Sequence, residues 1–309
     1  MHERKLQFTG GSSFITSLPK EWVSRQKLKA GSTVYLAEQK DGTLRLSAKH
    51  AKDAPREVTV SSRTVQGTLR NIIAAYIAGA DTIVVKGKDT AAVCEEARLR
   101  VSGLEIVDER EGSTVLRVLV NAAELNFAAL LKRLFLVSEV MCNLAVRSMR
   151  TGEDLSIEAK RRDNDADRLY LLIMRCLYNA PGPNSPMKAI AAVTIERISD
   201  HAEKICACCK CARPNPVFSS LLAEMLSLYS DTFGCVMDVC PNEDLFERQD
   251  ILLKGAQKRA ALLISSEKNK KRALALQEIW ESCLRIMHYS LNLSEIAANM
   301  KYLGETSQD

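Results

Sequence analysis

Phe127-Ala128-Ala129-Leu130-Leu131 recurs 91 residues later as Phe218-Ser219-Ser220-Leu221-Leu222, and this echo decides how the C-terminal half is read. At the same offset Arg168-Leu169-Tyr170-Leu171-Leu172-Ile173 meets Arg259-Ala260-Ala261-Leu262-Leu263-Ile264. After a three-residue adjustment, Ile198 and Ile205 stand opposite Ile286 and Leu293. Leucine at helical spacing is easily matched by chance, but one offset held across two successive helices marks a duplicated three-helix unit. Breaks fall at Thr151-Gly152, Pro181-Gly182-Pro183, Pro214-Asn215-Pro216 and Pro241-Asn242, with a charged interruption at Glu267–Lys271. They predict six antiparallel helices of roughly six to seven turns joined by short loops. The all-α region is expected over residues 123–305, with repeats at 123–212 and 216–304.

Upstream the pattern changes. Val58–Val60, Thr82–Val85, Leu104–Asp108 and Thr114–Leu119 read as strands, and Val65–Ala78 (closed by Gly79) and Thr90–Val101 as helices. The order βαβαββ over residues 57–120 predicts a small α/β linker domain. It holds no glycine-rich phosphate loop; Lys86-Gly87-Lys88 is too short to be one. Residues 4–48 alternate in short runs: Lys5–Phe8, Phe14–Ser17, then Val34 and Leu36, then Leu44 and Leu46, with Asp41-Gly42 as a hairpin turn. Leu18-Pro19-Lys20-Glu21-Trp22 opens a short helix, with Pro19 in its first turn and Ser17 as its cap. Fifty residues bury little by themselves, so this unit, residues 1–50, is expected to dimerise.

Charge is divided just as unevenly. Residues 1–50 carry nine Lys/Arg against four acids, whereas the other 34 Lys/Arg and 34 Asp/Glu cancel. A basic module ahead of a neutral body points to a polyanionic partner. Composition excludes other classes: with 46% apolar and 26% charged residues the chain is neither disordered nor membrane-embedded. The start, Met1-His2-Glu3-Arg4-Lys5, lacks an apolar signal core, which predicts a cytoplasmic protein. Ten cysteines, four of them at Cys206, Cys208, Cys209 and Cys211, fit a reducing compartment. Cys206 and Cys209 share a helix face, but zinc ligands normally come from separate elements, so small buried thiols are the expected reading.

The chemistry concentrates in the first repeat. Asp163 and Asp167 stand four apart on one predicted helix, and Glu196 and Asp200 four apart on the next. Residues at i and i+4 share a face, so each pair presents two mutually repelling carboxylates together. A cation between the helices relieves both pairs, and an all-oxygen site suits a hard or borderline metal. Asp165 and Glu203 lie near enough in sequence to assist. Opposite the quartet the second repeat has Lys254, Lys258, Leu284 and His288, so the bundle itself does not need acids there. The competing reading is a salt-bridged face with Arg161, Arg162, Arg168 and Arg197. His201 projects about 100° from Asp200 and reads as structural.

Two resemblances follow from these residues. Arg4-Lys5-Leu6-Gln7-Phe8-Thr9-Gly10-Gly11-Ser12-Ser13-Phe14, with Leu18-Pro19-Lys20-Glu21-Trp22, Leu28-Lys29-Ala30-Gly31-Ser32-Thr33-Val34 and Asp41-Gly42-Thr43-Leu44, resembles the SpoVT/AbrB domain. Ile195-Glu196-Arg197-Ile198-Ser199-Asp200 resembles the PhoU helix signature, and Asp163–Tyr170 its companion acidic helix. Together they resemble the archaeal PhoU domain-containing phosphate uptake regulators. The resemblance implies a multidomain α+β chain: an N-terminal swapped-hairpin β-barrel, a small α/β linker domain, and a C-terminal pair of PhoU-like three-helix bundles. It implies DNA as a partner, a homodimer, a link to phosphate transporter subunits or a signalling protein, and no membrane insertion.

It also implies a divalent or trivalent metal cluster (iron, manganese, zinc or magnesium) on Asp163, Asp167, Glu196 and Asp200, and one cluster at most. Two departures stand out. Lys204 replaces an Asn of the signature, and Gly11-Ser12-Ser13 occupy the stretch where better-known barrels carry inner arginines. Arg4, Lys5 and Lys20 are the candidate phosphate contacts. A DNA-binding, non-enzymatic regulator of phosphate uptake is the expected function, and a transporter-binding adaptor the alternative. No substrate pocket motif or nucleophile supports a hydrolase.

Overall fold

The computed structural model describes residues 3–305 apart from 12, 39–41, 49–54, 62, 180, 183 and 213. Two compact units, Met1–Pro55 and Arg56–Asp309, divide the chain. The first contains β1 (Gln7–Thr9), β2 (Ser13–Ile15), α1 (Lys20–Arg25), β3 (Tyr35–Glu38) and β4 (Leu44–Ser47). β1 and β2 pair antiparallel with Phe8 opposite Phe14, their rings 5.2 Å apart. β3 and β4 pair antiparallel with Leu36 opposite Leu46. Among the described residues the two ladders are separate and close no barrel.

Leu6, Phe8, Phe14, Ile15, Leu36 and Leu44 are all exposed, and no described residue between 3 and 48 is buried. This unit has strands but no interior of its own. Two local expectations shift. The backbone of Pro19 is extended (ψ 125°), so the helix starts at Lys20, Pro19 stands at the N-cap and Ser17 does not cap it. Of the hairpin turn, Asp41 lies outside the described residues, while Gly42 has the positive φ, 76°, that such a turn requires.

The second unit opens with β5 (Glu57–Val60), α2 (Val65–Ile77), β6 (Thr82–Lys86), α3 (Thr90–Arg100), β7 (Leu104–Arg110) and β8 (Ser113–Val118), the order read from the sequence. Strand order is β5-β6-β8-β7, with β5 parallel to β6 and the other pairs antiparallel. Leu69, Ile72, Tyr76, Ile83, Val85 and Leu116 fill the core under α2 and α3.

Six long helices follow: α4 (Phe127–Thr151), α5 (Ser156–Asn179), α6 (Ser185–Ala212), α7 (Pro216–Asp238), α8 (Glu243–Ser266) and α9 (Lys270–Glu305). Helical structure was expected from residue 123. Instead a short 3-10 turn, Ala122–Glu124, precedes Asn126, whose side chain accepts from the Ala129 N–H and so starts α4 four residues later. Asn215 and Asn242 cap α7 and α8 in the same way, and Pro216 occupies the first turn of α7. The break at Pro181-Gly182-Pro183 separates α5 from α6, though Pro183 is outside the described residues. α9 runs 36 residues, well beyond the expected length. Met141, Ile195, Ile198, Phe218, Tyr229 and Ile286 belong to one core shared by both sets of three helices. No helix among the described residues is long and apolar enough to cross a membrane.

α5 also anchors the α/β sheet. Leu171 enters the sheet-side core, and Arg175, 3% exposed, donates to the carbonyls of Tyr76 (2.6 Å) and Ala80 (2.9 Å). Gly79 stands between those acceptors at φ 88°, where a Cβ would lie 2.1 Å from Asn179 Oδ1 on α5. A side chain there meets both backbone strain and a clash. Gly79→Ala is expected to cost about 1–3 kcal/mol, as a denaturant midpoint of the full chain would show.

Candidate metal centre

Asp163 and Asp167 lie one turn apart on α5, and Glu196 and Asp200 one turn apart on α6, which packs against it. The structure brings three of the four together: one carboxylate oxygen each from Asp163, Asp167 and Asp200 lie within 4.8 Å of one another. Glu196 does not join the triad. A turn of helix carries a side chain about 5.4 Å along the axis, and helix pairs cross at an angle, so one of four such carboxylates diverges. Glu196 stays within electrostatic range and flanks the group.

Asp163 is the deepest member, 5% exposed. Its Oδ2 accepts from the Lys160 ammonium at 2.7 Å, and its Oδ1 is buried with no hydrogen-bond donor. An orphaned carboxylate oxygen facing two more carboxylates needs a proton or a cation. The other groups respond accordingly. Burial, then repulsion from Asp200 and Asp167, pushes the Glu196 carboxyl up to about 7. Burial and the charges of Asp163 and Asp167 raise Asp200, and burial with Asp163 raises Asp167. Three carboxylates and no nitrogen or sulfur make a donor set for a hard or borderline cation, so the residues present fit a metal.

Asp165, two residues from Asp163, points round the helix to Arg162 at 3.9 Å and takes no part in the triad. Glu203 remains near Lys160. None of Arg161, Arg162, Arg168 or Arg197 pairs with the quartet among the described residues; Arg197 lies over the Tyr289 ring at 5.9 Å instead. Lys160 is the residue the sequence reading missed. Its signal was present, a lysine three positions before an aspartate and therefore on the same face. His201 packs 5.9 Å from the Tyr289 ring, and burial lowers it to about 4, so it is neutral. In the second repeat Lys254 pairs with Asp250 on its own helix.

Cys206 and Cys209 are buried, and Cys209 Sγ lies 3.1 Å from Met149 Sδ. Burial raises both thiols, Cys209 to about 11, so they are protonated packing groups. In the N-terminal unit Arg4 and Lys5 precede β1 and Lys20 opens α1. All three are exposed, and no contact joins them among the described residues.

A basic strand module with no buried residue among those described thus precedes a helical bundle that carries an acidic triad, with Asp163 buried, Asp167 half-buried and Asp200 exposed. Residues 7–54 match the family described as antidote-toxin recognition MazE, bacterial antitoxin, and residues 131–209 match the PhoU domain. The chain carries a MazE/AbrB-like domain followed by a PhoU domain. The PhoU match spans α4 to α6 and so contains the whole acidic quartet; the second repeat lies outside it. No curated protein matches the chain.

Proposed function

We propose that this chain is a DNA-binding regulator of phosphate uptake and homeostasis, acting in the cytoplasm without catalytic turnover. Its parts are a DNA-binding module at 1–50, a linker domain at 57–120, and a helical domain at 123–305 made of two three-helix repeats. One observation carries the reading: a module with an excess of five positive charges and no buried residue among those described precedes a PhoU domain. A second copy supplies the missing interior, pairing the exposed Phe8, Phe14, Leu36 and Leu44 into a swapped-hairpin barrel. Dimerisation also doubles the basic surface, with Arg4, Lys5 and Lys20 of each copy meeting DNA phosphates.

In the PhoU domain Asp163, Asp167 and Asp200 hold a divalent or trivalent cation, with Glu196 completing the acidic wall. When bound, the cation supplies positive charge that attracts an anion. The protein's own contribution is to hold three carboxylates at the spacing of a coordination sphere and to keep Asp163 away from solvent. This positions a signalling surface for a phosphate transporter subunit or a signalling protein.

The test is duplex binding by the full chain as salt is varied. Six phosphate contacts per dimer predict a log–log slope of about −5, so affinity falls about a thousandfold between about 50 and 200 mM salt. Replacing Arg4, Lys5 and Lys20 together by Gln should bring the slope close to zero. Salt-insensitive binding, or undiminished binding by the triple variant, rejects the DNA reading. Genome-wide occupancy in high and low phosphate then tests the link to phosphate-transport genes.

A further inference from the structure

Among the described residues, Lys160 is the cation paired with a carboxylate of the acidic triad. Its ammonium lies 2.7 Å from Asp163 Oδ2, and its charge also acts on Asp167 and Asp200. Asp163 is buried while the Lys160 side chain is 58% exposed. The carboxylate is therefore fixed, and the ammonium sits on a flexible stem that can swing into water. A metal drawing on Asp163, Asp167 and Asp200 competes with that ammonium for the same carboxylate charge. No lysine nitrogen can ligate while protonated.

We propose that Lys160 is a tethered competing cation: it neutralises Asp163 in the metal-free protein, and an incoming metal displaces it. This deepens the metal reading above and rests on it. Apparent metal affinity is then the intrinsic affinity divided by the strength of the Lys160–Asp163 pair. The site fills only above a threshold set by one surface lysine, and loading turns Lys160 out to solvent. The second repeat offers the contrast. There Lys254 stands at the position of Asp163 and pairs with Asp250, one turn back along its own helix, and no second group of three carboxylates occurs among the described residues.

The test is titration of the chelator-stripped full chain with Mn²⁺, chosen because hard manganese disfavours the ten thiols. Free Mn²⁺ is read by electron paramagnetic resonance. Lys160→Met keeps the stem and deletes the charge, and is expected to tighten Mn²⁺ binding at least tenfold. Lys160→Arg keeps the charge and is expected to bind no tighter than wild type. Arg161→Met removes a neighbouring exposed charge that does not touch Asp163, and its gain should stay under threefold. Acylation of lysines by an N-hydroxysuccinimide ester, followed by peptide mass spectrometry, should show Lys160 labelled faster once Mn²⁺ is bound. Equal Mn²⁺ affinity in wild type and Lys160→Met, or an equal gain in Arg161→Met, overturns the competing role while leaving the metal site standing. Absence of Mn²⁺ binding in both wild type and Lys160→Met overturns the metal reading and this inference together.

Discussion

Asp163→Asn with Asp200→Asn will abolish metal content while leaving the six helices folded. Each aspartate is one of three donors, and an amide oxygen is a neutral, weaker ligand; losing two charges leaves Asp167 as the only charged member of the triad. The metal-free double variant is expected to be as stable as the stripped wild type or more so at neutral pH, because two repelling carboxylates are gone.

The pH dependence separates repulsion from packing. In the stripped wild type Glu196, Asp167 and Asp200 all have folded-state values above their ordinary ones, Glu196 at about 7. The native state therefore binds more protons than the unfolded chain between the ordinary carboxylate range and about 7. Stability then rises as pH falls from 7.5 to 5.5 by about the Glu196 and Asp200 contributions, and the rise is absent above that window. Thermal unfolding in chelator should show this slope in the wild type and a flatter one in the double variant. Elemental analysis of both proteins, with Lys254→Gln/Lys258→Gln as a control expected to keep its metal, decides the ligand assignment. A double Asn variant that retains metal means the acids are a charged face and nothing more.

How far these features were legible in the sequence depends on where each partner lies. The helices announced themselves through local chemistry: Gly152 ends α4, and Asn215 with Pro216 starts α7, all signals within a few residues of the event. The α/β order was equally local. The grouping of Asp163, Asp167 and Asp200 was legible because two i,i+4 acidic pairs stand on consecutive helices and are absent from the duplicate repeat. That Glu196 stands outside the triad was not legible, because spacing along one helix says nothing about the crossing of two.

The N-terminal strands were legible but their packing was not. Phe8 and Phe14 alternate correctly and pair with one another, yet the surface that would cover them is not supplied by their own unit. Arg175 shows the same limit inside one unit. A lone arginine in Leu171-Leu172-Ile173-Met174-Arg175-Cys176-Leu177 is visible as an anomaly. Its acceptors are backbone carbonyls more than ninety residues away, and backbone has no sequence signature.

Arg175 carries the largest expected stability effect. Its guanidinium is buried against the carbonyls of Tyr76 and Ala80, stacks 4.9 Å from the Tyr76 ring and reaches Asp81 at 3.5 Å. Burial lowers its pKa, the sign expected when a charge is taken from water and returned only partly by its partners. Such a group is poor evidence of net stabilisation compared with an apolar substitute of equal shape, but removing it is a different matter. Arg175→Ala opens a cavity between α5 and the sheet and strands two carbonyls. The expected cost is about 3–5 kcal/mol, or a fall in Tm of about 6–20 °C for a unit of this size. The exposed pair Arg147–Glu153 is as short, 2.6 Å, yet half in solvent, so Arg147→Ala should cost less than about 1 kcal/mol. Arg175→Met restores volume without donors and should recover part of the loss, about 1–2 kcal/mol, separating the cavity from the stranded carbonyls. Because Leu171 and Arg175 lie on the helix that carries Asp163 and Asp167, loss of the anchor should also raise hydrogen exchange in α2 and β6 before it reaches α6. Uniform exchange across both would mean that the sheet and the bundle unfold as one body, and that Arg175 stabilises the whole unit rather than the seam between its parts.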